Sequence, residues 1–168
     1  MIFVTVGTDG PFDRLIQAVD RWALGCGQPD VFAQIGRSGL RPSFIRFTDF
    51  LEPHEFNRLF ASASLVVSHA GMGTVLTALQ HQKPLLVMPR RASLGEQRNE
   101  HQLATARRLQ ALGKVAVAFD EGELVTRLGS LGHLSAGEAI GPFAQPELIA
   151  AIRSFIEADD SVGKRIKY

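Results

Sequence analysis

The stretch Leu65-Val66-Val67-Ser68-His69-Ala70-Gly71-Met72-Gly73-Thr74-Val75-Leu76 constrains the fold more than any other part of the chain. An unbroken apolar run rich in β-branched residues stops at a polar, glycine-containing turn, and a helical pattern over 74–80 begins at once. A strand without polar alternation is buried on both faces, as strands are in a parallel sheet covered by helices on both sides. The strand-to-helix junction then lies at the carboxyl edge of the sheet. Ligands bind there because a helix start offers unpaired N–H groups and the positive end of the helix dipole. Gly71 and Gly73 remove side chains where a phosphate would approach the backbone. The same kind of junction opens the chain, where the apolar run 2–6 meets Gly7-Thr8-Asp9-Gly10. Two such loops on one sheet imply a nucleotide cleft.

The remainder alternates in the same way. Strands are expected at 2–6, 31–35, 44–47, 65–68, 85–88 and 115–119. Helices are expected at 12–24, from Pro53 through Phe60, at 74–80, at 99–112 and at 148–156. The region 129–146 is glycine-rich and weakly patterned, and Lys164-Arg165-Ile166-Lys167-Tyr168 forms a basic tail. The expectation is an α/β, doubly wound, Rossmann-like parallel sheet forming a single domain over 1–168. That length supports one full core. A net charge of +1 gives no basic field for nucleic acid. One cysteine, Cys26, forms no intrachain disulfide and no zinc cluster, so a reducing compartment is expected and no metal. The amino-terminal residues lack the basic start of a signal peptide, and no apolar run approaches the ~20 residues of a membrane span. A dehydrogenase-type dinucleotide site is disfavoured. Gly7-Thr8-Asp9-Gly10 is not G-x-G-x-x-G, and no acidic residue ends the second strand to hold a ribose.

Four motifs in order carry a family resemblance: Phe3-Val4-Thr5-Val6-Gly7-Thr8, Ser68-His69-Ala70-Gly71-Met72-Gly73-Thr74, Lys83-Pro84-Leu85-Leu86-Val87-Met88-Pro89-Arg90-Arg91, and Glu96 followed by Asn99-Glu100-His101-Gln102. Over about residues 2–119 the chain resembles the carboxyl-terminal domain of family 28 glycosyltransferases. It is most similar to the stand-alone, single-domain type: the catalytic subunits of bacterial exopolysaccharide glucuronosyltransferases and of the eukaryotic dolichol-linked N-acetylglucosaminyltransferase. The resemblance implies the donor-binding half of a GT-B enzyme, with inverting transfer of a hexose or uronic acid from a UDP-sugar to a lipid-linked acceptor. It also implies a membrane-associated partner subunit that holds the acceptor. The chain would be cytoplasmic, peripheral to the inner face of the membrane through that partner. No cofactor is implied, since the UDP-sugar is a co-substrate.

The resemblance also gives the motif residues roles. Gly7 and Thr8 either touch phosphate or simply form a turn. Gly71, Met72, Gly73 and Thr74 form the diphosphate loop, and Thr74 has the alternative role of N-cap. His69 either hydrogen-bonds the diphosphate or donor sugar, or fixes the loop. Arg90 and Arg91 suit a diphosphate or a uronate carboxylate, or are solvated charges. Glu96, Asn99, His101 and Gln102 fall where the family contacts the donor sugar, the alternative being a solvated helix start. Phe50 either packs on uracil or joins the core.

The chain departs from the family at one position. Where many members carry a glutamate for the ribose hydroxyls, Thr77 stands, without bidentate, charge-assisted geometry. No carboxylate presents itself as catalytic base. His69 and His101 are candidates in this chain, and a base in the partner subunit is preferred to either. The competing reading is a non-catalytic nucleotide-binding or regulatory module of the same fold, which would bind nucleotide without discriminating sugars.

Overall fold

A computed structural model describes residues 1–27, 29–37, 40–141 and 146–163, with side chains through 154. Six strands, β1 (Ile2–Thr5), β2 (Val31–Gln34), β3 (Arg46–Thr48), β4 (Leu65–His69), β5 (Leu85–Met88) and β6 (Ala116–Val117), form one sheet in the order β3-β2-β1-β4-β5-β6. Every pairing is parallel. All carboxyl ends therefore share one edge, and the order reverses between β1 and β4. A crevice opens at such a reversal.

The helices are α1 (Asp13–Gly25), α2 (Pro53–Ser62), α3 (Met72–Gln80), α4 (His101–Ala111), α5 (Glu121–Leu128) and α6 (Pro146–Gly163). Successive strand residues point to opposite faces. Ile2, Val4, Val67, Leu86 and Met88 pack on Leu15, Ile16, Val19 and Trp22 of α1 and on Leu124 and Leu128 of α5. Phe3, Val66, Leu85 and Val87 pack on Phe60 of α2, Val75 and Leu79 of α3, and Leu109 of α4. The sheet is thus doubly wound, as its apolar runs require.

Three polar residues interrupt the second face. Thr5 sits in register with Gln34 on one side and Ser68 on the other. All three are buried. They form a polar row at the carboxyl edge, under the crevice. The Oε1 of Gln34 and the Oγ of Ser68 have no hydrogen-bond partner among the described residues.

Several boundaries move. The third strand is Arg46–Thr48, not 44–47, because the N–H groups of Ser43, Phe44 and Ile45 are held by the Asp20 carboxylate and not by a ladder. The sixth strand shrinks from 115–119 to Ala116–Val117. The third helix begins at Met72, two residues before the expected start. The fourth begins at His101 instead of 99, and the last runs Pro146–Gly163 instead of 148–156. Helix α5 was not expected at all. It is short, contains Gly122 and buries only Leu124 and Leu128. Its signal was the capping pair: Asp120 Oδ1 accepts from the Glu123 N–H (2.8 Å), and Glu123 Oε2 accepts from the Phe119 N–H (2.9 Å). The basic tail 164–168 lies outside the described residues.

Candidate functional site

Two adjoining cavities of about 420 and 590 Å3 occupy the crevice, and both are lined by Gly7, Thr8, Asp9, Gln34 and Phe50. The first extends to His69, Gly73, Thr74 and Thr77. The loops after β1 and β4 therefore meet over the polar row.

His69 is the hinge of this arrangement. It ends β4, and its ring lies between two glycines. A Cβ on Gly71 would fall 2.2 Å from His69 Cε1, and one on Gly7 would fall 2.6 Å from its Nε2. Gly7 also has φ +75°, a conformation that side chains disfavour. Both glycines are thus required by the histidine before any ligand is considered. Gly73 differs, because a Cβ there meets nothing within 4 Å. Its backbone faces open cleft.

Helix α3 starts with Gly71 as N-cap, in an extended conformation and with no side chain capping it. Thr74 is therefore not the cap; it lies in the first turn. The first-turn N–H groups lack partners within the helix and leave an anion-binding start open toward the cavity. Thr77, a turn further on, donates its hydroxyl to the Gly73 carbonyl (2.9 Å). Phe50 is 58% exposed at the cavity wall, so it is no core residue. Met72 is exposed on α3 beside the loop.

The residues after β5 behave differently from expectation. Arg90 does not reach the cleft. It is 2% exposed, its guanidinium donating to the carbonyls of Val6 (2.9 Å), Gly10 (2.8 Å) and Pro11 (2.6 Å) while stacking on Phe12. It clamps the β1 loop from below, and burial lowers its pKa. Arg91 donates to the Phe119 carbonyl, away from the cleft. Glu96 chelates the Arg14 guanidinium at 2.7 and 2.8 Å and accepts the Arg91 N–H (2.8 Å). It ties this loop to α1. Asn99 accepts the His101 N–H (3.1 Å) at the start of α4, and its Oδ1 also touches the ring Nδ1 of the exposed His101. Gln102 is buried, 2% exposed, with its amide between the Arg90 N–H (3.2 Å) and His69 Nδ1 (3.1 Å). The amide is thus held by the protein at both ends, where a contact to the donor sugar was the expectation.

The site thus gathers Gly7, Thr8, Phe50, His69, Gly73 and Thr74. It adds Asp9 and Gln34, for which sequence reasoning assigned no role. Gln34 was detectable as a lone polar side chain in the run Val31-Phe32-Ala33-Gln34-Ile35. The His69 imidazole is pushed down to about 4, by burial first and then by the Arg90 charge, with Gln102 and Asp9 pulling the other way. Among the described residues no three His, Cys, Asp or Glu side chains gather as a metal site, and no helix is long and apolar enough to cross a membrane.

A parallel sheet of this order, with a glycine-bounded helix start at its switch point, defines a doubly wound, Rossmann-like α/β domain. Residues 1–130 match the glycosyltransferase family 28 C-terminal domain, and the chain belongs to that family. It is 48% identical over 82 residues to the UDP-N-acetylglucosamine transferase subunit ALG13 of Eremothecium gossypii, covering 48% of this chain and 36% of the relative. It is 33% identical over 122 residues to the human protein of the same name, covering 67% of this chain and 10% of the relative. The matched segment thus spans about a third of the fungal relative and a tenth of the human one. Among solved structures, the solution structure of ALG13 superposes with a TM-score of 0.58 at 19% identity, over 90% of this chain and 93% of that one. Acinetobacter baumannii MurG superposes with a TM-score of 0.55 at 17% identity, over 76% and 40%. These likenesses place the fold among GT-B glycosyltransferases.

Proposed function

We propose that this chain is the donor-binding catalytic subunit of a two-component, inverting, UDP-sugar-dependent glycosyltransferase. It works with a membrane-associated partner that carries the lipid-linked acceptor, on the cytoplasmic face of the membrane, in glycan synthesis. The observation that carries the reading is the uncapped start of α3, with Gly73 open beside His69 and Phe50. The uracil packs on Phe50, and the diphosphate sits on the Met72-Gly73-Thr74 N–H groups. An acceptor hydroxyl attacks the anomeric carbon as the bond to the diphosphate breaks. UDP leaves with its negative charge held by the helix start and the His69 N–H. The acceptor proton goes to a base that we assign to the partner.

The transferase-subunit names of the relatives support an N-acetylhexosamine donor. A uronic acid has less support, since Arg90 and Arg91, the residues that would meet its carboxylate, are engaged with backbone carbonyls. Calorimetry against UDP, UDP-glucose, UDP-N-acetylglucosamine and UDP-glucuronate, with and without the product of a neighbouring glycan-operon gene, tests this. Sugar discrimination, with transfer appearing only when the partner is added, is expected. Equal binding of all four and no transfer with any partner would identify a nucleotide-binding module instead.

A further inference from the structure

We propose that Gln102 is a positioning residue that locks His69 in its neutral Nε2–H tautomer, making His69 a hydrogen-bond donor to the leaving diphosphate and excluding it as the catalytic base. The Arg90 N–H can only donate, so the Gln102 amide atom 3.2 Å from it is the oxygen. The other amide atom is therefore the NH2, and it stands 3.1 Å from His69 Nδ1. An NH2 group offers only protons, so Nδ1 must present its lone pair. A neutral imidazole carries one proton, which is then on Nε2.

Neither end of this relay is free to turn. Arg90 follows β5, and its guanidinium is anchored on the carbonyls of Val6, Gly10 and Pro11. Gln102 is buried in the first turn of α4. The His69 ring is held between Gly7 and Gly71. Its Nε2 has no hydrogen-bond partner among the described residues, and His69 lines the cavity together with Gly73 and Thr74. The charged groups acting on the ring are Arg90 and His101, which oppose a second proton, and Asp9, which favours one. Protonating Nδ1 would also set an N–H against the Gln102 NH2. A base would need its lone pair on Nε2, which is the tautomer that the amide forbids.

The donor role rests on the UDP-sugar reading above; the tautomer lock does not. Nitrogen-15 spectra of the full chain without nucleotide test the lock alone. Wild-type His69 is expected to show a protonated Nε2 and a bare Nδ1 at pH 7, and to stay neutral well below the ordinary histidine range. A protonated Nδ1, or titration at the ordinary value, would overturn the proposal whatever any variant does. Gln102→Glu keeps an acceptor for the Arg90 N–H but replaces the NH2 by a carboxylate oxygen. The His69 proton should move to Nδ1, and the pKa should rise. Binding of UDP-N-acetylglucosamine, whose diphosphate does not itself titrate in this range, should be flat with pH in the wild type. In Gln102→Glu it should be at least tenfold weaker at pH 8 than at pH 5.5, where a second proton restores the Nε2–H. An unchanged tautomer in a folded Gln102→Glu protein would also overturn the proposal. A correct tautomer with no nucleotide-sugar binding would leave the lock standing and refute the donor reading.

Discussion

Gly73→Ala separates the needs of the fold from those of the ligand. The added Cβ meets nothing within 4 Å, and the position is helical, in the first turn of α3. Replacing a helical glycine by alanine should stabilise the protein by about 0.5–1 kcal/mol. The same methyl stands where the diphosphate approaches the backbone. Holding the anion off should weaken UDP by about tenfold or more, on the order of 1.4 kcal/mol. Gly71→Ala is the contrast. Its Cβ lands 2.2 Å from His69 Cε1, so the ring must move, at about 1–3 kcal/mol of overpacking. Urea unfolding and UDP calorimetry on both variants give the comparison. Stability up with affinity down is expected for Gly73→Ala, and both down for Gly71→Ala. UDP affinity unchanged in a folded Gly73→Ala protein would remove this loop from the site and refute the reasoning.

Three other outcomes are expected. His69 is held at about 4 in the folded chain, below its unfolded value of about 6.5, so its contribution is fully present above pH 6.5 and is lost as pH falls toward 4, where the unfolded chain takes the proton first. The loss is at most about 3 kcal/mol, and urea midpoints at pH 7 and pH 4 should fall further in wild type than in His69→Gln; parallel falls would contradict the shift. Phe50→Ala, at a 58% exposed position, should change stability by no more than about 0.5 kcal/mol while clearly weakening UDP, and unchanged binding would remove Phe50 from the base site. Thr77→Glu places a carboxylate on the cavity wall and should tighten UDP several-fold, but not its 2′,3′-dideoxyribose analogue; equal gains would show that the carboxylate does not read ribose hydroxyls.

The sheet was legible because its strands advertise themselves. Runs such as Leu65-Val66-Val67 and Leu85-Leu86-Val87-Met88 have no polar face, and only a doubly covered parallel sheet buries them. The loop after β4 was legible for the same reason, since a glycine-rich turn must follow where the chain leaves the sheet edge. Helix α5 was not, because two buried leucines over eight residues make no periodic signal, and its capping pair is the stronger mark. Strand ends were misjudged where side chains took over backbone partners, as Asp20 does at 43–45.

The polar residues show where sequence runs out. A motif position tells that a polar side chain is needed at the carboxyl edge, but not whether it faces the ligand or holds what does. Arg90 and Gln102 occupy motif positions and are both 2% exposed. One fastens the β1 loop through its guanidinium, and the other bridges the Arg90 N–H to His69. Gln34 has the reverse history: no motif role was given to it, yet it lies on the cavity floor with an unpartnered oxygen. The difference is decided by partners distant in sequence, such as the pairing of Gln34 with Thr5 in the sheet and of Gln102 with His69 across 33 residues. Burying a polar group without a partner costs about 1–3 kcal/mol. Arg90 and Gln102 avoid most of that cost through bonds to the protein. Among the described residues the Gln34 oxygen has no such bond, like the Ser68 Oγ beside it, but Gln34 also lines both cavities, so its side chain is well placed to gain from a ligand.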